Sequence, residues 1–77
     1  MANIDKQIVA SENQIKSINV IIDTIGLENI PETLRQTAKL RLENPESTLG
    51  ELSKISNLTK SCLNHRLRKI VQIAEQL

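Results

Sequence analysis

"TLGELSKISNLTKSCLNHRLRKI", Thr48 to Ile70, holds the spacing that decides the fold. Thr48 and Glu51 stand at the interval of a capping box, where a hydroxyl and a returning carboxylate satisfy the free amides of a helix start. Leu49, Leu52 and Ile55 give a short apolar edge of barely two turns that ends near Ser56-Asn57. Asn57 is one of the few residues besides glycine that accept a left-handed turn conformation. Leu58 can plug inward, and Thr59 is a good N-cap for a further helix. Leu63, Leu67, Ile70, Ala74 and Leu77 then recur at spacings of four, three, four and three, the clearest amphipathic stripe in the chain. A short helix, a tight turn and a longer amphipathic helix describe a helix-turn-helix. Ser53 supports it, being small where the two helices pass close, as do Asn57 in the turn and Leu63 as the inward plug. On spacing alone, an ordinary helical hairpin stays open as the alternative.

Upstream, Ile8, Ile15, Ile18, Ile22 and Ile25 mark one face of a helix from about Ile4 to Ile25. Gly26 follows where a left-handed cap residue belongs, and Leu27 can fold back on the last turn. Pro31 suits the first position of a second helix, whose face is Leu34, Ala38 and Leu42, with Leu40 beside it. Asn44-Pro45 stops it, because proline pushes its predecessor out of the helical region. The expectation is one all-α domain over residues 1–77, with four helices at about 4–25, 31–43, 48–56 and 59–76.

Composition narrows the function. Seventy-seven residues make one small domain, whose net stability is about 3–5 kcal/mol. There is no Phe, Tyr or Trp. That argues against a broad ligand pocket, so no small-molecule ligand is expected. It also argues against readers of single strands, which stack bases on aromatic rings. The net charge is only +1, but it is unevenly spread: residues 1–45 carry a net of −1 and residues 46–77 a net of +2. Every base of the second part lies between Lys54 and Lys69, where no acid occurs, an electrostatic footprint despite the near-neutral total. A single cysteine, no signal peptide and no apolar run longer than Val20-Ile21-Ile22 point to a cytoplasmic protein away from membranes.

At 100° per residue, the side of the last helix opposite Leu63, Leu67, Ile70 and Ala74 holds Ser61, His65, Arg68 and Gln72, flanked by Asn64 and Lys69. The row begins at the helix N-terminus, the end that enters the major groove in helix-turn-helix proteins. Arg68 suits bidentate pairing with guanine and Asn64 with adenine. Lys60, Lys69 and the helix N-terminal amides, including that after Thr59, suit phosphate, and Lys54 could hold the backbone across the groove. The candidate DNA-binding residues are therefore Lys54, Thr59, Lys60, Ser61, Asn64, His65, Arg68 and Lys69. A solvated charged face is the plainer alternative, and Arg66 falls near the buried edge. Cys62 and His65 are one turn apart, but two ligands do not make a zinc site, and no cofactor is expected. Ser61 and His65 share a face without a local acid to orient the histidine, and Gly26 and Gly50 are too isolated for a phosphate loop. No enzyme is expected.

The stretches "GLENIPETLRQTAKLRLENPESTLGEL" (26–52) and "TKSCLNHRLRKIVQIAEQL" (59–77) resemble the C-terminal domain of the WhiA family. Leu40-Arg41-Leu42 with Asn44-Pro45, and Asn64-His65-Arg66-Leu67-Arg68-Lys69, are identical to that family's pattern. Cys62-Leu63 departs from its usual Gly-Val or Gly-Ile, and the turn at Asn57 is shorter than in many members. The resemblance implies a bacterial transcription regulator linked to sporulation and cell division. It also implies a helix-turn-helix like region 4 of sigma factors, with double-stranded DNA as partner. It further implies a fragment, since in the family this domain follows one resembling LAGLIDADG homing endonucleases. The alternative is a protein-interaction module that docks on a sigma factor or RNA polymerase through the Ile-rich first helix or the acidic side.

Overall fold

A computed structural model describes the backbone from Ala2 to Leu77 and the side chains from Ser11 onward. Four α-helices follow in order: α1 (Ala2–Thr24), α2 (Glu32–Glu43), α3 (Leu49–Ser56) and α4 (Lys60–Glu75), with a short 3-10 turn at Leu27–Asn29. The expected all-α, four-helix architecture is what forms. Among the described residues no helix is long and apolar enough to cross a membrane.

Apolar periodicity explains the packing, with three corrections. On α1, Ile18 and Ile21 are fully buried and Ile25 packs beside them, whereas Ile22 is 41% exposed. Spacings of three and four keep Ile18, Ile21 and Ile25 within a narrow arc, and Ile22 stands 100° round from Ile21. The expected place of the Ile8 side chain on this stripe lies outside the described residues. On α3, Leu52 is buried and Leu49 joins the core, but Ile55 is 57% exposed. Each step of three drifts back by about 60°, so Ile55 stands about 120° round from Leu49 and leaves the core-facing arc. On α4, Leu63, Leu67 and Ile70 are buried and Ala74 packs on the core, while Leu77 is exposed beyond the C-cap Gln76. Ile30, delivered inward by the 3-10 turn, and Ile73 on α4 join the core without having been anticipated.

The caps follow their chemistry. Thr48 and Glu51 form the capping box, with the Glu51 amide donating to Thr48 Oγ1 at 3.2 Å and the Thr48 amide to Glu51 Oε1 at 3.1 Å. Thr59 Oγ1 accepts the Cys62 amide at 3.1 Å. Pro31 is the N-cap of α2 rather than its first helical residue, with Glu32 opening the helix. Gly26 has the positive φ expected of it, +82°, but ψ of 151° extends the chain instead of closing a left-handed cap. That extension turns the backbone into the 3-10 turn, and Leu27 still packs on the core.

Candidate nucleic-acid interface

The turn between α3 and α4 sets the angle at which α4 is presented. Asn57 takes φ 62°, ψ 25°, and it is the one described non-glycine residue with positive φ. Its amide donates to the Ser53 carbonyl at 2.9 Å. Ser53 Oγ donates to the Leu58 carbonyl across the turn, and the Leu58 amide donates to Ser56 Oγ at 3.3 Å. The small residue at 53 therefore acts as a hydrogen-bonding strut across the turn. Leu58 is half-buried behind it, and Leu52 and Leu63 bury one side chain each from the two helices.

On this frame the outward row of α4 is exposed: Ser61, His65, Arg68 and Gln72, with Asn64 and Lys69 on its flanks. Lys54 is exposed on α3, and Thr59 is exposed while its hydroxyl oxygen caps α4. Arg66 is half-buried against a small cleft of about 270 Å³ beside Thr37 and Leu58, in keeping with its place near the apolar edge. The residues named from the sequence are thus exposed, and one of them is redirected. Lys60 runs back over α3, where a methyl group built on Gly50 would stand 3.3 Å from its Cε and 3.6 Å from its Nζ.

Lys60 and Asn64 also line a groove of about 930 Å³ that opens between α1, the α2–α3 turn and the start of α4. Composition argued against a broad pocket, yet this one needs no aromatic walls. It is a gap between helices, bordered by Ile15, Leu49 and Gly50. Arg41 forms part of its wall and was missed as a structural residue. It is 2% exposed, and its Nη2 donates to the carbonyls of Asn44 and Ser47, each at 2.6 Å. Its Nη1 reaches Gln14 Oε1 on α1 at 3.4 Å, and Nε has no hydrogen-bond partner among the described residues. Burial pushes the guanidinium pKa below its ordinary value. The signal was available, since Leu34, Ala38 and Arg41 fall at spacings of four and three on the buried stripe.

No metal-ligating group of three or more is present among the described residues, and Cys62 is a half-buried free thiol. The interface is a surface for polar and ionic contact.

A family profile, the WhiA C-terminal HTH domain, matches residues 1–74. The chain belongs to that family. A probable cell division protein WhiA from Clostridium acetobutylicum is 51% identical over 78 residues, covering 99% of this chain and 25% of that protein. One of the same name from Geobacillus thermodenitrificans is 47% identical over 79 residues, with the same coverage. The crystal structure of full-length DUF199/WhiA from Thermotoga maritima superposes with a TM-score of 0.93 at 43% identity, covering 99% of this chain and 27% of that one. The chain therefore spans about a quarter of the length of these WhiA relatives. A helix-turn-helix domain family of this kind is regulatory and non-enzymatic.

Proposed function

We propose that this chain is the duplex-DNA-binding domain of a bacterial transcription regulator, with α4 as the helix that enters the major groove. The observation that carries this reading is the exposed row Ser61, His65, Arg68 and Gln72, which starts at the N-terminus of the second helix of a helix-turn-helix. Arg68 is the strongest candidate for a base contact, because a guanidinium matches the O6/N7 edge of guanine. Lys54 and Lys69 fit phosphates on either side. The regulator's role in sporulation or division belongs to this same proposal.

A second reading is a docking module for a sigma factor or RNA polymerase. It is favoured by Val20 and Ile22, which leave apolar surface in water on α1. The two readings differ in salt dependence, because only phosphate contacts release counterions.

An amide-shift titration with a mixed-sequence duplex at low and moderate salt separates them. The DNA reading expects shifts at Lys54 and from Thr59 to Lys69 that weaken as salt rises. Flat spectra, or shifts confined to α1, overturn it.

A further inference from the structure

The groove beside α4 holds a buried positive charge that, among the described residues, makes no hydrogen bond to a carboxylate. Arg41 is buried, and its recorded hydrogen-bond partners are all neutral: two backbone carbonyls and the Gln14 side-chain amide. Its Nε is buried without a hydrogen-bond partner among the described residues. A buried charge held only by dipoles is costly, and an anion on the same wall lowers that cost. A second cation is brought to the same groove, because Lys60 lies along α3 with its ammonium close to the helix start. There the capping box occupies the amides of Thr48 and Glu51. It leaves Leu49 and Gly50 with the outward N–H groups that a helix start cannot pair internally, and both residues line the groove. Glu12 and Glu46 stand on the same wall, but both are exposed to water, where their fields are screened. The Glu51 carboxylate is turned back onto the Thr48 amide.

The geometry points to a phosphate seat at the start of α3, made by the Lys60 ammonium and the Leu49 and Gly50 amides, with Arg41 as buried counter-charge. The seat takes a phosphodiester of the DNA strand that borders the major groove. Asn64 supports that source, since it lines the groove and also flanks the base-facing row, so the two surfaces are continuous. The inference rests on the DNA reading and adds a register to it. One phosphate is gripped between α1 and α3, and this fixes how far α4 slides along the duplex. Gly50 contributes by its missing side chain, because a methyl there would stand 3.3 Å from Lys60 Cε and shift the charged end by a few tenths of an ångström.

Duplex affinity is measured against salt for the wild type and for Lys60→Met, which keeps the apolar stem over Gly50 and removes the charge. Amide shifts of Leu49 and Gly50 are followed in parallel with duplex and with inorganic phosphate alone. The seat predicts that Lys60→Met weakens binding evenly across duplex sequences and lowers the slope of log K against log salt by about one. It also predicts that the duplex moves the Leu49 and Gly50 amides, and that Lys60→Met reduces those shifts. An unchanged slope in Lys60→Met, or quiet Leu49 and Gly50 amides beside a shifting Arg68, overturns the seat and leaves the DNA reading standing. No shift anywhere on α4 overturns both. Shifts at Leu49 and Gly50 with phosphate but not with duplex assign a free-anion site and overturn the DNA source. Gly50→Ala keeps helical backbone and supplies an independent check. It is expected to weaken duplex binding without lowering the melting temperature, and wild-type affinity contradicts the claim.

Discussion

Two turns bracket α3, and they are held by different means. The α3–α4 turn is local. Asn57 supplies a left-handed backbone, and Ser53, Ser56 and Thr59 supply hydroxyls, all within ten residues of Ser53. The α2–α3 turn adds ties to a distant helix. Arg41 reaches forward to two carbonyls and across to α1, and Ser11 Oγ donates to the Pro45 carbonyl from the same helix. A local turn sets an angle between neighbouring helices. A long-range one ties that pair to the rest of the fold. For a helix-turn-helix the first fixes the shape of the motif, and the second fixes the scaffold that carries it.

The largest expected effect breaks the distant turn. Arg41→Met removes three charge-assisted hydrogen bonds and is expected to cost about 3 kcal/mol in urea denaturation, most of the stability of a domain this small. A cost under about 1 kcal/mol would show that the turn is held by something else. Next comes the local turn. Asn57→Ala is expected to cost about 1 kcal/mol, because an ordinary side chain resists φ of 62°, whereas Asn57→Gly should stay near wild type. Equal losses in both variants would mean that the Asn57 side chain, not its backbone, matters. Thr59→Ala is expected to cost about 1 kcal/mol through its lost cap on the Cys62 amide, with the first turn of α4 losing hydrogen-exchange protection before the rest. The smallest effect is at Ile55. Its exposure predicts that Ile55→Ser changes stability by under about 0.5 kcal/mol. A loss of 2 kcal/mol would return Ile55 to the core.

The same contrast explains what the sequence let one read. Capping box, left-handed Asn57 and N-cap Thr59 are local signals, because each involves residues within four positions of one another, and all three stand in the structure. Ile22, Ile55 and Leu77 were assigned inward because hydrophobicity and spacing are also local, while burial depends on how much partner surface reaches each position. Arg41 was counted as a charge when its place on the α2 stripe marked it for burial. The direction taken by Lys60 depends on Gly50 ten residues earlier, a pairing that only the turn geometry creates. The outward row was legible because helical angle alone puts Ser61, His65, Arg68 and Gln72 opposite the buried stripe.

The central claim is that α4 divides its work, with the buried stripe holding the fold and the outward row meeting DNA. Its most direct test is Arg68→Glu, assayed by fluorescence anisotropy on a mixed-sequence duplex at low salt, with the urea midpoint measured on the same sample. The expected result is at least about a tenfold loss of affinity, roughly 1.4 kcal/mol, with an unchanged midpoint. Unchanged affinity, or a loss matched by unfolding, would contradict it.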